Sequence, residues 1–155
     1  MTSSSQRSLI EIESNFGPDN YKPLPVVLSK AQGVWVWDVD NKKYLDMMSA
    51  YSAVSHGHSH PELLKVLHEQ SARLALTSRA FYTDTLGPYL ETITSVSNFD
   101  MALPMNSGAE AVETAIKASR RWAYRSKKIE PNKAEIIVAD GNFHGRTTTI
   151  ISFSS

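Results

Sequence analysis

The chain has 155 residues, 41% of them hydrophobic and 9% aromatic, and its 16 basic and 16 acidic side chains cancel to no formal charge. This is the composition of a soluble globular protein, and with its basic residues interspersed among acidic ones it offers no electrostatic footprint for nucleic acid or an anionic membrane. There is no cysteine, which excludes a disulfide framework and thiolate metal sites, and the leading MTSSSQRSLIEIE lacks the apolar run of a signal peptide or membrane span, so the expected location is the cytoplasm.

A serine-rich tail leads into a short amphipathic helix predicted over residues 8–15. Gly17-Pro18 and Pro23-Leu24-Pro25 then impose an extended, turn-rich connection. Residues 34–37 alternate aromatic and β-branched side chains, and a polar stretch, 38–43, separates them from Tyr44-Leu45-Asp46, which predicts a hairpin with one buried face. Pro61 stands where a first helical turn tolerates proline, and Leu63, Leu64, Leu67 and Leu74 follow at helical spacing, giving a helix over 61–74. A second, weaker pattern predicts a helix over 88–96. A long helix over 109–125 places Val112, Ala115, Ile116, Ser119, Trp122 and Ala123 on one face, with acids early and bases late as its dipole prefers.

Residues 101–105 are a short apolar run before that helix, 135–139 read as a strand of the buried type, and 148–153 are another β-branched run. Strand, helix, strand, loop, strand implies an α/β fold with a parallel sheet. Three strands leave the faces and edges of a doubly wound sheet uncovered, so the expectation is an incomplete sheet in a piece of a longer protein.

The chemistry concentrates at Asn106-Ser107-Gly108, where the apolar run stops and the long helix begins. Gly108 lets a ligand approach the backbone, and the free N–H groups of the first turn, with the positive end of the helix dipole behind them, suit a phosphate. Ser107-x-x-Glu110 is equally a capping box, and Glu110 and Glu113 argue mildly against a nearby anion. The loop Asn142-Phe143-His144-Gly145-Arg146 follows a predicted strand, the usual ligand position in open α/β sheets. Phe143 can stack on a flat heteroaromatic ring and Arg146 can grip a carboxylate, although an ordinary core phenylalanine and a solvated arginine explain either residue alone. His56-Gly57-His58-Ser59-His60 suggests a metal site, but Pro61 starts a helix directly after and no carboxylate lies at a familiar ligand spacing, so histidines in polar contacts at a turn are the better reading. Tyr21 and Tyr51 can each present a phenol to a pocket or pack in the core.

The blocks GVWVWDVDNKKYLD, AYSAVSHGHSHPELLKVL, TSRAFY, PMNSGAEAVETAIK and GNFHGRT, in this order, resemble the class III aminotransferases, which use pyridoxal 5′-phosphate. Within the class, NYKPLPVVL, SAYSAVSHGH and LTSRAFY resemble the ornithine-specific members more than the acetylornithine or 4-aminobutyrate ones. The resemblance implies a fold-type I pyridoxal-phosphate-dependent transferase. Residues 1–60 would be the N-terminal helix, extended segment and hairpin of the small domain, and 61–155 the start of the large cofactor-binding α/β domain.

By the same resemblance, Ser107, Gly108 and Ala109 match the phosphate-cradling loop and Phe143 the residue stacked on the pyridine ring. Arg146 matches the arginine that holds a substrate carboxylate. Tyr21 and Tyr51 match tyrosines of the substrate pocket, Tyr21 helping to fix the amino-acid end of ornithine. The implied partners are L-ornithine and 2-oxoglutarate, in a homodimer whose residues 78–82 face the interface. The Schiff-base lysine, the pyridine-binding aspartate and a second substrate arginine are not identifiable here, so no residue is assigned as catalytic and the chain alone is expected to be inactive. Two other classes remain open at this point: a non-catalytic cofactor-binding or dimerisation module, and a histidine-based metal-binding protein.

Overall fold

The computed structural model describes residues 3–154. The chain divides into two compact units, one ending at Phe81 and the other beginning at Tyr82.

In the first unit, the Ser3 hydroxyl accepts the Gln6 amide at 3.2 Å and caps α1 (Ser4–Phe16). The helix therefore starts at Ser4, earlier than the apolar periodicity predicts, because its first turn is set by a serine cap and not by buried side chains. It ends where the Gly17 amide bonds the Glu13 carbonyl at 2.7 Å. The proline-rich connection then leads into an antiparallel meander, β1 (Leu28–Gln32), β2 (Trp35–Asp38) and β3 (Lys43–Leu45), in spatial order β1-β2-β3. The predicted hairpin is β2–β3, with Val36 opposite Tyr44. Strand β1 escapes sequence reading because LSKAQ contains no β-branched or aromatic residue. Its partner decides its structure, with Ala31 opposite Val36 and Gln32 opposite Trp35.

Alternation sends Val36 and Asp38 to one face, where they are 7% and 1% exposed, and Trp35 and Trp37 to the other. On that second face the Lys43 ammonium lies 3.9 Å from the Trp35 ring centroid and the Lys30 ammonium 5.1 Å from that of Trp37, both in cation–π range.

The buried Asp38 carboxylate is supplied from several sides. It accepts the Tyr44 hydroxyl at 2.7 Å, the Lys42 amide at 2.9 Å, the Asp40 amide at 3.0 Å and the Gln6 side-chain amide at 3.2 Å. Gln6, itself buried, also donates to Asp40 at 2.7 Å and accepts the Val27 amide at 3.2 Å. One glutamine thus binds α1 to the start of β1 and to the β2–β3 turn. The Tyr44 hydrogen bond, with the Lys42 and Asp40 amides, outweighs burial and holds the Asp38 carboxyl below its ordinary range.

Four further helices follow: the single turn α2 (Ser49–Ser52), α3 (Pro61–Leu74), α4 (Leu86–Ser97) and α5 (Gly108–Arg125). Helix α3 spans the predicted residues, with Pro61 in its first turn. None of the residues of α3 or α4 is buried, so the apolar stripe with Leu63, Leu64 and Leu67 lies on the surface of this chain.

The predicted parallel strands do not form. Among the described residues the meander is the only sheet, 101–105 and 135–139 have no regular structure, and Ile150–Phe153 is a 3-10 turn. A parallel strand is held by the strands on either side of it, and these runs find no ladder partner. Met101 is accordingly 88% exposed and Ile137 98% exposed. Residues 150–153 coil instead because the Thr147 carbonyl takes the Ile151 amide at 2.9 Å and the Ile150 side chain is completely buried.

Replacing Gln6 with alanine removes one of the donors to the buried Asp38 carboxylate and leaves the half-buried Val27 amide without its acceptor, and is expected to cost about 1–3 kcal/mol in urea unfolding. Asp38 binds its proton more weakly folded than unfolded, so its stabilisation is complete above about pH 4 and is lost as pH falls through the folded value. Asp38→Asn should flatten the acid limb of stability against pH.

Candidate active site

At the start of α5, Ser107 is extended (φ −147°, ψ 162°) and the next residue is helical. Its hydroxyl accepts the Glu110 amide at 3.2 Å and its carbonyl the Ala111 amide at 3.0 Å. The amides of Gly108 and Ala109 lie in the first turn, where no intrahelical acceptor exists. A side chain on Gly108 would meet no atom within 4 Å, so the space beside this turn is open to an anion. The Glu110 carboxylate stands 3.5 Å from both the Ser107 hydroxyl and the Asn106 side-chain amide, the outer limit of a hydrogen bond. The capping box is therefore firm on the serine side and loose on the glutamate side.

The loop 142–147 is fixed to this helix start. The Asn142 side-chain amide donates to the Ala139 carbonyl at 2.5 Å and the Phe153 carbonyl at 2.6 Å, tying the beginning of the loop to the 3-10 turn. The Thr147 hydroxyl donates to Glu113 on α5, tying its end. Between them Gly145 has φ +123°, and a methyl group there would come within 3.0 Å of the Ala109 Cβ and 3.7 Å of Ile150 Cδ1. Only glycine permits both that backbone and that approach. Ser107, Gly108 and Ala109 are thus brought to the loop that carries Phe143 and Arg146. Phe143 is 73% exposed and Arg146 is also exposed, so neither is a core residue of this chain. Glu113, engaged by Thr147, does not compete for the helix start.

Tyr21 and Tyr51 belong to the first unit. Tyr21, 62% exposed, lines an open groove of about 770 Å³ between α1 and the proline-rich connection. Tyr51, 85% exposed, sits in α2 (Ser49–Ser52), a single turn wound left-handed, with φ from +45° to +72° at Ser49, Ala50, Tyr51 and Ser52. For such residues this conformation costs roughly 1–2 kcal/mol each, so the surroundings must impose it. Asp46 and His58 stand at its two sides. One Asp46 oxygen accepts the Met48 amide at 3.0 Å and the Ser49 amide at 2.9 Å, and the other pairs with His58 Nε2 at 2.7 Å. The His58 hydrogen bond is the main reason the Asp46 carboxyl lies below its ordinary range. The backbone of His58 exchanges two 2.8 Å bonds with Gly33 at the β1–β2 turn.

The histidine cluster therefore resolves into a carboxylate partner, His58, and a pair, His56 and His60, whose rings meet edge to face at 6.4 Å. Among the described residues no group of three His, Asp or Glu is arranged to hold a metal. Sequence reading missed Asp46, Glu113, Asn142 and Thr147 as organisers. Only Asp46 carries a local signal, since an aspartate two and three residues before the amides it binds is the spacing of an Asx turn.

The family profile described as Aminotransferase class-III matches residues 16–155. Ornithine aminotransferase of Brevibacillus brevis is 58% identical over 95% of this chain and 37% of its own length, and that of Bacillus cereus 55% identical over 96% and 38%. The chain thus spans little more than a third of the length of these relatives. Among solved structures, ornithine aminotransferase from Toxoplasma gondii superposes with a TM-score of 0.94 at 39% identity, over 97% of this chain and 35% of that one. Acetylornithine aminotransferase from Elizabethkingia anophelis gives 0.86 at 57% identity, over 94% and 36%.

Gly145→Ala should destabilise the second unit by about 1–3 kcal/mol in thermal or urea unfolding, from strained backbone and contact with Ala109. Adding Ala109→Gly should recover only part of that loss, because it relieves the contact and leaves the strain.

Proposed function

The chain belongs to the class III aminotransferases, and from that membership we propose that it is the N-terminal portion of a pyridoxal 5′-phosphate-dependent ornithine aminotransferase. In this reading the whole enzyme moves the δ-amino group of L-ornithine to 2-oxoglutarate, giving glutamate 5-semialdehyde and glutamate. It acts as a cytoplasmic homodimer with active sites at the interface.

The observation that carries the reading is the seating of Gly145 on Ala109. It brings the loop that carries Phe143 and Arg146 against a helix start with open amides, which supports reading this place as a site for a phosphorylated heteroaromatic aldehyde. Pyridoxal phosphate, when bound, supplies the electron sink for the carbanion chemistry. The residues of this chain bind and orient. The Gly108 and Ala109 amides and the Ser107 hydroxyl hold the phosphate, where the helix dipole favours negative charge. Phe143 covers one face of the ring, and the planar fork of Arg146 pairs with a substrate carboxylate. Tyr21 and Tyr51 line the substrate pocket, and Tyr21 helps hold the amino-acid end of ornithine so that the distal amine faces the cofactor. No lysine of this chain is assigned to hold the cofactor, and none of its residues is assigned as catalytic.

A second specificity, for N-acetylornithine, is favoured by one observation, the 57% identity to the Elizabethkingia anophelis acetylornithine aminotransferase. Comparing kcat/KM for ornithine and N-acetylornithine in the aminotransferase that contains this chain separates the two. Ornithine should be preferred, and preference for the acetylated substrate contradicts the assignment. In the same enzyme Arg146→Ala should weaken binding of the carboxylate substrate by about 1.5–3 kcal/mol, on the order of ten- to a hundredfold in KM. An unchanged KM removes Arg146 from its role.

A further inference from the structure

The strained turn α2 presents a side chain instead of burying one. Its four residues, Ser49, Ala50, Tyr51 and Ser52, are all left-handed and none is glycine, yet Tyr51 at its centre is 85% exposed. Core packing therefore does not maintain the strain. Asp46 and His58 do: one carboxylate takes the Met48 and Ser49 amides that start the turn and reaches His58 beyond its far end at 2.7 Å. His58 is in turn anchored to the sheet through its two backbone bonds with Gly33. Gly57 stands so close that a methyl group on it would lie 3.2 Å from the Gly33 Cα. Within the closed segment, the Ser49 hydroxyl donates to the Val54 carbonyl at 3.1 Å and the Ser55 hydroxyl to the Ser52 carbonyl at 2.7 Å.

We propose that Asp46 and His58 are positioning residues for Tyr51: their contact closes the segment between them and holds the phenol at the place and angle from which it meets the substrate. The inference rests on the reading of Tyr51 as a substrate-pocket residue. It assigns to the second histidine of HGHSH a task that neither a metal site nor the cofactor cradle gives it.

The test uses the aminotransferase containing this chain, with 3-fluorotyrosine incorporated and the Tyr51 resonance assigned by its loss in Tyr51→Phe. Asp46→Ala and His58→Phe break the contact, whereas Asp46→Asn and His58→Gln keep a hydrogen-bonding group of similar shape. The first pair should shift or broaden the Tyr51 fluorine resonance and raise KM for ornithine about tenfold, the lower end of what losing an outer hydrogen-bonding partner costs at metal sites, with little change in kcat. The second pair weakens the contact without removing it and should move both readouts in the same direction by less; should the first pair fail to fold, an unmoved resonance in the second pair alone overturns the positioning role. An unmoved resonance in all four variants overturns the positioning role. A moved resonance with unchanged KM overturns its bearing on substrate. A parent enzyme that does not turn over ornithine refutes the proposed function, while the fluorine readout still decides whether the pair positions Tyr51.

Discussion

The chemistry of the second unit depends on one steric constraint, the absence of a side chain at Gly145. A loop that carries an aromatic ring and a guanidinium can lie against the first turn of α5 only if its backbone comes as near as the Ala109 methyl group allows. The rest follows from that approach. Ile150, wholly buried, fills the space behind it, and Asn142 and Thr147 fasten the two ends of the loop. A helix start is a generic anion site, and the glycine decides which loop lies against this one.

The first unit is organised by carboxylates in the same spirit. Asp38 and Asp46 each gather backbone amides and hydrogen-bonding side chains: Tyr44 and Gln6 for Asp38, His58 for Asp46. Both are held ionised by those donors, and each stabilises a tight connection that hydrophobic burial does not reach. Few side chains are buried among the described residues, Val36 being the buried apolar one of the first unit and Ile116 and Ile150 those of the second, so hydrogen-bonded hubs set much of the local geometry.

What could be read from the sequence was what is encoded locally. The proline at the start of α3, the amphipathic face and serine cap of α5 and the alternation of β2 each leave a signature within a few residues, and each element formed where it was expected. Strand β1 left none, because its partner imposes its conformation. The apolar runs at 101–105, 135–139 and 148–153 failed in the opposite direction, since their composition is that of strands and a strand is a property of a pair. For the candidate site, Ser107, Gly108, Phe143 and Arg146 were legible as residue types suited to a phosphate, a flat ring and a carboxylate. The fastenings were not, because Glu113 and Thr147 meet across 34 positions of sequence and no pattern announces such a pair. His58 was legible as a polar turn histidine but not in its partner.

The open first turn of α5 and the loop seated on it are proposed to receive the phosphate and ring of one cofactor. A crystal structure of the aminotransferase containing this chain, with pyridoxal 5′-phosphate bound, tests it directly. Phosphate oxygens should accept the Gly108 and Ala109 amides at about 3 Å, with the Phe143 ring facing the pyridine. A phosphate held elsewhere, with those amides facing water, contradicts it.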